Sequence, residues 1–173
     1  MAFPDDLLEL SRHLANLYPE HEHQASLRRA VSTAYYAIFH LLISEAAANW
    51  ARPELRTVLS RCFDHGPMKS ASEARAAQIN FDLNNNRLSE TDKTIAAQLR
   101  TVAKAFVRAQ YERNEADYNL AKQWTAVDVN LQIDSVAEAF EIWGVIREEE
   151  LAQAYLLSLL GTRERRPNDD AED

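Results

Sequence analysis

The spacing of apolar residues constrains the fold of this chain more than any other feature of its sequence. Leu7, Leu10, Leu14 and Leu17 recur at three- and four-residue steps, the period of one face of an α-helix. The same steps return from Val129 to Trp143. Only three glycines and five prolines occur among 173 residues, so few points interrupt such helices. The pattern predicts an all-α protein.

Capping residues and helix breakers place the individual helices. Three segments have the form of a capping box at the start of a helix: Ser70 to Glu73, Ser89 to Asp92 and Thr125 to Asp128. Gly66-Pro67 reads as the stop of the preceding helix. We predict an antiparallel helical bundle of four main helices with one or two short extra helices. The predicted helices are 5–18, 24–49, 54–63, a short helix from about 70 to 84, 90–113, and a final helix after Thr125. A turn-rich link is predicted over 114–124.

The end of the chain leaves two interpretations open. The helical pattern after Thr125 reaches Leu160, and a straight helix of that length would span roughly 50 Å. Residues 148–160 are therefore either a bent return helix or an arm that binds a partner. We predict one domain over 1–161 and a disordered charged tail over 162–173.

Charge and composition exclude several classes of function. The formal net charge is −8, so any contact with nucleic acid should be confined to a small site. No apolar run approaches the length that crosses a bilayer. Cys62 is the only cysteine, so a disulfide framework within the chain is excluded. We expect a cytoplasmic protein without a membrane contact. The sequence contains no glycine-rich phosphate-binding loop and no nucleophile elbow around a serine. We predict no cofactor.

The most informative stretch for function is Arg28 to His40. Because a helix turns about 100° per residue, Arg29, Thr33, Tyr36 and His40 fall on one face. These groups suit phosphate contact and hydrogen bonding. The alternative is that Tyr36 and His40 are hydrogen-bonded core groups and Arg29 is solvated.

Two further segments combine arginine with polar groups. Arg61 and His65 flank a predicted helix end, and such a pair can hold a phosphate and move a proton. The alternative places His65 at a helix C-terminus that Gly66 closes. In the segment Arg113 to Tyr118, Arg113 and Asp117 are close enough to pair, while Asn114 and Tyr118 offer hydrogen bonds. This pair could equally fix a turn between two helices.

A metal site has only weak support in the sequence. His21-Glu22-His23 supplies two imidazoles and a carboxylate, but neighbours two residues apart in a loop form at most part of a coordination shell. We therefore predict a solvated loop and no metal.

Taken together, the chain resembles the HEPN superfamily (higher eukaryotes and prokaryotes nucleotide-binding domain), in its small stand-alone bacterial branch. The resemblance covers about 5–143 and is carried by Ala30 to His40, Asp64-His65-Gly66 and Arg113 to Tyr118. It implies a helical bundle that forms a homodimer. Many members cleave RNA without metal, and many are toxins paired with a nucleotidyltransferase-type antitoxin. Catalytic members carry a histidine shortly after the arginine, where this chain has Asp117.

Two functions follow as hypotheses. The first is a HEPN-like dimer that binds a nucleotide or RNA, as a metal-free ribonuclease of a toxin–antitoxin type. The second is a non-catalytic helical module that binds a protein partner. The first assigns Arg113, Asp117 and His40 to catalysis, and it assigns substrate binding to Arg29, Tyr36, His65, Asn114 and Tyr118.

Overall fold

The chain folds as an all-α helical bundle, as predicted. A computed structural model describes residues 2–161, which contain no strand. The described helices are α1 (Phe3–Ala15), α2 (Gln24–Ala48), a 3₁₀-helix (Pro53–Leu55), α3 (Arg56–Ser60), α4 (His65–Asn84), α5 (Glu90–Tyr118), α6 (Ala126–Ile146) and α7 (Glu150–Ser158). The predicted count of four main helices is not confirmed, because α4 is a fifth helix of more than ten residues. The predicted tail, 162–173, lies outside the described residues.

Helix α2 is the central element of the bundle. It packs against α1, α3, α5, α6 and α7. Three of its alanines, Ala30, Ala34 and Ala37, are fully buried, so neighbouring helices can approach its backbone closely. A helix that is surrounded in this way needs apolar residues on most of its circumference. Its polar groups Ser32, Tyr36 and His40 are therefore brought into contact with neighbouring helices.

Side-chain contacts establish the antiparallel arrangement of neighbours. Along α2 and α5, Ser32 bonds to Asp117 and Tyr36 to Arg113, so sequence number rises in one helix as it falls in the other. Helices α4 and α5 show the same order, from Gln110 beside His65 to Arg100 beside Asn80. Arg12 with Asp134 and Asn16 with Asn130 relate α1 to α6 in this way too.

Two of the predicted helix starts are confirmed with their caps. Ser89 Oγ accepts a hydrogen bond from the backbone N–H of Asp92 at the start of α5, at 3.2 Å. Thr125 Oγ1 accepts from Asp128 N–H at the start of α6, at 3.1 Å. Both hydroxyls satisfy backbone donors that have no partner within the helix.

The prediction for the segment before α4 is wrong. In place of one helix over 54–63, the chain forms a 3₁₀-helix and the five-residue α3, and α4 begins at His65. Pro67 lies in the first turn of α4, where a missing N–H removes no helical hydrogen bond, so it starts a helix here rather than stopping one. The predicted capping box from Ser70 to Glu73 therefore lies within α4 and does not begin a helix.

Helix α5 continues five residues beyond its predicted end at Arg113. Its C-terminal carbonyls, together with those of the turn that follows, are capped by Arg28 of α2, whose guanidinium donates to Ala116 O and Lys122 O at 2.7 Å each and to Asn119 O at 3.1 Å. A cation at a helix C-terminus is favourable because it faces the negative end of the helix dipole. The segment Arg113–Tyr118 is therefore helical, and the prediction of a turn there is wrong.

The open question about the last helix is resolved in favour of a bend. Helix α6 ends at Ile146, and α7 runs from Glu150 to Ser158 as a separate helix. Tyr155 and Leu159 of this segment are fully buried in the same apolar cluster as the longer helices. No helix within 2–161 has the length and apolar character needed to cross a membrane.

A buried hydrogen bond joins α7 to α4 and yields a stability prediction. Tyr155 Oη lies 2.8 Å from Ser72 Oγ, which itself donates to Met68 O at 2.7 Å, so the phenol donates to the serine. Tyr155→Phe should lower the free energy of unfolding by about 1 kcal/mol. Urea denaturation would measure this, with Tyr111→Phe as the exposed control that should not change it. Identical stabilities for Tyr155→Phe and wild type would contradict the assigned hydrogen bond.

Candidate functional site

Three segments that are far apart in sequence meet in one polar cluster. It consists of Tyr36 and His40 on α2, His65 at the start of α4, and Arg113 and Asp117 near the end of α5. The antiparallel packing of α5 against both α2 and α4 brings these positions to the same level of the bundle. We call this set the Arg113 cluster.

Arg113 is the central group of the cluster. Its Nη2 donates to Tyr36 Oη at 3.0 Å, and its Nη1 donates to Asn114 Oδ1 at 3.2 Å. Its Nε lies 2.8 Å from Asp117 Oδ2. This last contact is an ion pair rather than a hydrogen bond, because Nε has no aligned acceptor. The two charged side chains are 18% and 26% exposed, so the pair is mostly shielded from water.

The charge of Arg113 is fixed by its neighbours. Burial alone would lower its pKa, but the hydrogen bond from Arg113 to Tyr36 and the nearby Tyr36, Asp117 and Tyr118 groups raise the pKa overall. Ser32 Oγ donates to Asp117 Oδ1 at 2.7 Å and holds the carboxylate in place. The guanidinium therefore remains cationic and is oriented from both α2 and α5.

His65 is held by contacts from two helices. Its ring nitrogen Nδ1 is hydrogen-bonded to the hydroxyl of the fully buried Tyr35. Its ring lies 4.3 Å from that of Phe39, and its backbone carbonyl accepts from Gln110 Nε2 at 3.0 Å. Because His65 is the first residue of α4, the sequence interpretation that placed it at a helix C-terminus is wrong.

His40 lies on the other side of Tyr36. The two rings are stacked, with centroids 6.3 Å apart and planes inclined by 29°. Burial lowers the pKa of His40, and the neighbouring His65 lowers it further. Burial also lowers the pKa of His65, the charge of Arg113 lowers it further, and Asp64 opposes the shift. Both imidazoles are consequently neutral at pH 7 in the folded protein.

The predicted site residues divide into three groups. Tyr36, His40, His65, Arg113 and Asp117 belong to the cluster itself. Asn114 and Tyr118 lie at its solvent-facing rim, where Asn114 bonds to Arg113 and Tyr118 is 74% exposed. Arg29 is exposed and makes no hydrogen bond or ion pair within residues 2–161, so the structure does not bring it into the cluster.

Three supporting residues were missed by the sequence interpretation. The sequence analysis gave no individual role to Tyr35, Ser32 or Gln110. The sequence spacing could have indicated Gln110, because Gln110, Arg113 and Asp117 are three and four residues apart and so share one face of a helix. The partnership of Tyr35 with His65 had no local signal, since thirty residues separate them.

The other candidate segments take structural roles. His23 caps α2, with Nδ1 accepting from Ser26 N–H at 3.4 Å, and its ring lies 4.5 Å from that of Tyr18. Arg61 is exposed at the end of α3. Cys62 is exposed as well. No group of three or more His, Cys, Asp or Glu side chains in the described part of the chain is arranged to hold a metal ion.

The cluster has the components needed to bind and process a phosphodiester. A guanidinium binds phosphate oxygens in a planar, two-pronged geometry. The contact of Arg113 with Asn114 is at the exposed rim, so a phosphate could replace it without disturbing Tyr36 or Asp117. Neutral imidazoles beside that position can accept a proton.

Comparisons with models of protein families, with curated proteins and with solved structures found no match to this chain.

The lowered pKa values of His40 and His65 predict how stability depends on pH. Between the folded and unfolded pKa values the unfolded chain binds more protons, so the free energy of unfolding should fall as pH falls from about 7 through 6.5 and below. Urea denaturation at a series of pH values would measure this dependence. The double variant His40→Gln/His65→Gln should show a weaker fall than wild type over the same interval. Equal dependence in both proteins would contradict the predicted shifts, which NMR titration of the imidazoles would measure directly.

Proposed function

We propose that this protein is a HEPN-like dimer that binds RNA or a nucleotide at the Arg113 cluster and cleaves RNA without a metal ion. The observation that carries the proposal is the meeting of one oriented guanidinium with two partly exposed imidazoles around Tyr36. The segments that support the HEPN resemblance are the ones that converge here. The cluster is also open at its rim, whereas a purely structural network would be expected to be buried throughout.

Each residue has a defined part in the proposed reaction. Arg113 binds the scissile phosphate, and Asp117 and Tyr36 orient Arg113. His65, neutral because of burial and of Arg113, accepts the proton of the RNA 2′-OH as this oxygen attacks the adjacent phosphorus. The bond from phosphorus to the 5′-oxygen breaks, and His40 gives that oxygen a proton. Because burial lowers the pKa of His40, its proton-donating imidazolium is the minority form at pH 7 and becomes more abundant below it. The products are a 2′,3′-cyclic phosphate and a 5′-hydroxyl.

The proposed assembly follows from the resemblance alone. HEPN proteins bring two copies of their site together in a dimer, and we extend this homodimer to the present chain. We also propose a nucleotidyltransferase-type antitoxin as the protein partner, in a toxin–antitoxin system in the cytoplasm. Sedimentation analysis of the purified protein tests the dimer, and a monomer at micromolar concentration would contradict it.

A specific observation favours a second function, a non-catalytic module that binds a protein partner. Asp117 forms an ion pair with Arg113, with Oδ2 2.8 Å from Nε, so the guanidinium already has an anionic partner. Asp117 also lies at about the position where catalytic HEPN members carry histidine. The net charge of −8 also opposes general RNA binding. In this case the Arg113 cluster would join α2, α4 and α5 and would serve to stabilise the folded bundle.

RNA cleavage in the presence of EDTA distinguishes the two functions. The wild-type protein should cleave single-stranded RNA, and Arg113→Ala should reduce the rate by at least a hundredfold, because the phosphate loses its charged contact. His65→Ala and His40→Ala should each reduce it by about a hundredfold or more, since each removes a proton-transfer group. The rate of the wild type should show a bell-shaped dependence on pH.

Arg108→Ala is the matched control for the loss of an arginine from α5. Its side chain is exposed, and its one ion pair within residues 2–161 is with Glu112, at 4.0 Å, so cleavage should stay at the wild-type rate. Circular dichroism would verify that all variants are folded. If the folded wild-type protein leaves RNA intact, the cleavage proposal is wrong and the partner-binding function is favoured.

A further inference from the structure

A groove beside the Arg113 cluster has the composition of a nucleobase site. It has a volume of about 420 Å³ and lies between the start of α1, the second half of α2, and α3. His40 lines this groove and is also stacked on Tyr36, so the groove and the cluster share one side chain. The other residues that matter here are Phe3, Ile43, Ala47 and Arg56.

Phe3 gives the groove an aromatic surface. Its side chain is 60% exposed although it is large and apolar, and its ring lies 5.1 Å from His40 with the planes inclined by 65°. Ile43 and Ala47 are buried and form an apolar floor. A flat apolar ring beside an apolar floor is the arrangement on which an unpaired base stacks in proteins that bind single-stranded nucleic acid.

Arg56 gives the groove a positive charge within an acidic protein. Its Nε donates to Trp50 O at 3.1 Å, which holds the guanidinium over the groove, while its terminal nitrogens make no hydrogen bond within residues 2–161. Arg52 and Arg61 lie on the same segment, which contains a single acidic residue, Glu54. The residues that line the groove include Arg56 and no acidic side chain, so the lining itself complements a phosphate.

We infer that this groove binds one base of single-stranded RNA next to the phosphate held at Arg113, with Phe3 stacking on the base and Arg56 contacting a neighbouring phosphate. The inference rests on the proposed RNA-binding function and specifies its substrate as an oligonucleotide rather than a mononucleotide. Continuity supports it, because two ring-to-ring steps of 5.1 and 6.3 Å connect Phe3 through His40 to Tyr36. Duplex RNA is disfavoured as the substrate, since its bases are already stacked and paired.

The test is the affinity of the full-length protein for a fluorescent eight-nucleotide 2′-O-methyl RNA, which cannot be cleaved through its 2′-oxygen. Phe3→Ala should weaken binding by about tenfold or more, and Phe3→Trp should restore it. Arg56→Ala should weaken binding and reduce the slope of log affinity against log salt by about one. Phe81→Ala is the matched control, because Phe81 is also half-exposed but lies near the other end of α4.

The outcomes separate this inference from the function on which it rests. If Arg113→Ala abolishes binding while Phe3→Ala binds as well as wild type, the groove assignment is wrong and the cluster assignment stands. If wild type does not bind this RNA at all, the proposed function and the groove assignment both fail. An RNA of the same length without bases should bind wild type and Phe3→Ala equally, and a difference between them would also overturn base stacking at Phe3.

Discussion

The ion pair between Arg113 and Asp117, together with the hydrogen bond from Arg113 to Tyr36, is the interaction on which the site depends. It connects the end of α5 to the middle of α2 and orients a mostly buried guanidinium from two directions. Removing Arg113 would leave Asp117 without its cationic partner and Tyr36 without its hydrogen-bond donor. Ser32 adds a hydrogen bond to the carboxylate, and Gln110 separately joins α5 to the backbone carbonyl of His65 at the start of α4. Local order at the site is therefore a consequence of how three helices pack.

The sequence was informative where a signal lies within one helical turn. The caps at Ser89 and Thr125 are such signals, and both helix starts were predicted correctly. Features that depend on distant contacts were not predictable in this way. The extension of α5 past Arg113 depends on Arg28, and the helical start at His65 is accompanied by contacts with Tyr35 and Gln110. A proline near a helix end gives a local signal that is ambiguous, because it suits the first turn of a helix as well as the position after its end.

The same division applies to the candidate site. Tyr36 and His40 were placed on one face of α2 from helical geometry, and they do share the cluster. Arg29 satisfies the same geometry but is exposed, whereas its neighbour Arg28 caps the end of α5. Periodicity thus predicts which residues share a side of a helix. Which part of that side meets another helix depends on tertiary packing.

The most direct test of the account is an NMR titration that follows the Arg113 Nε–H and the imidazole resonances while an uncleavable 2′-O-methyl dinucleotide is added. The account predicts saturable shifts at Arg113, His65 and His40, with the same dissociation constant from each. Shifts confined to other parts of the surface, or no shift at Arg113 while the RNA binds, would contradict a phosphate site at this cluster.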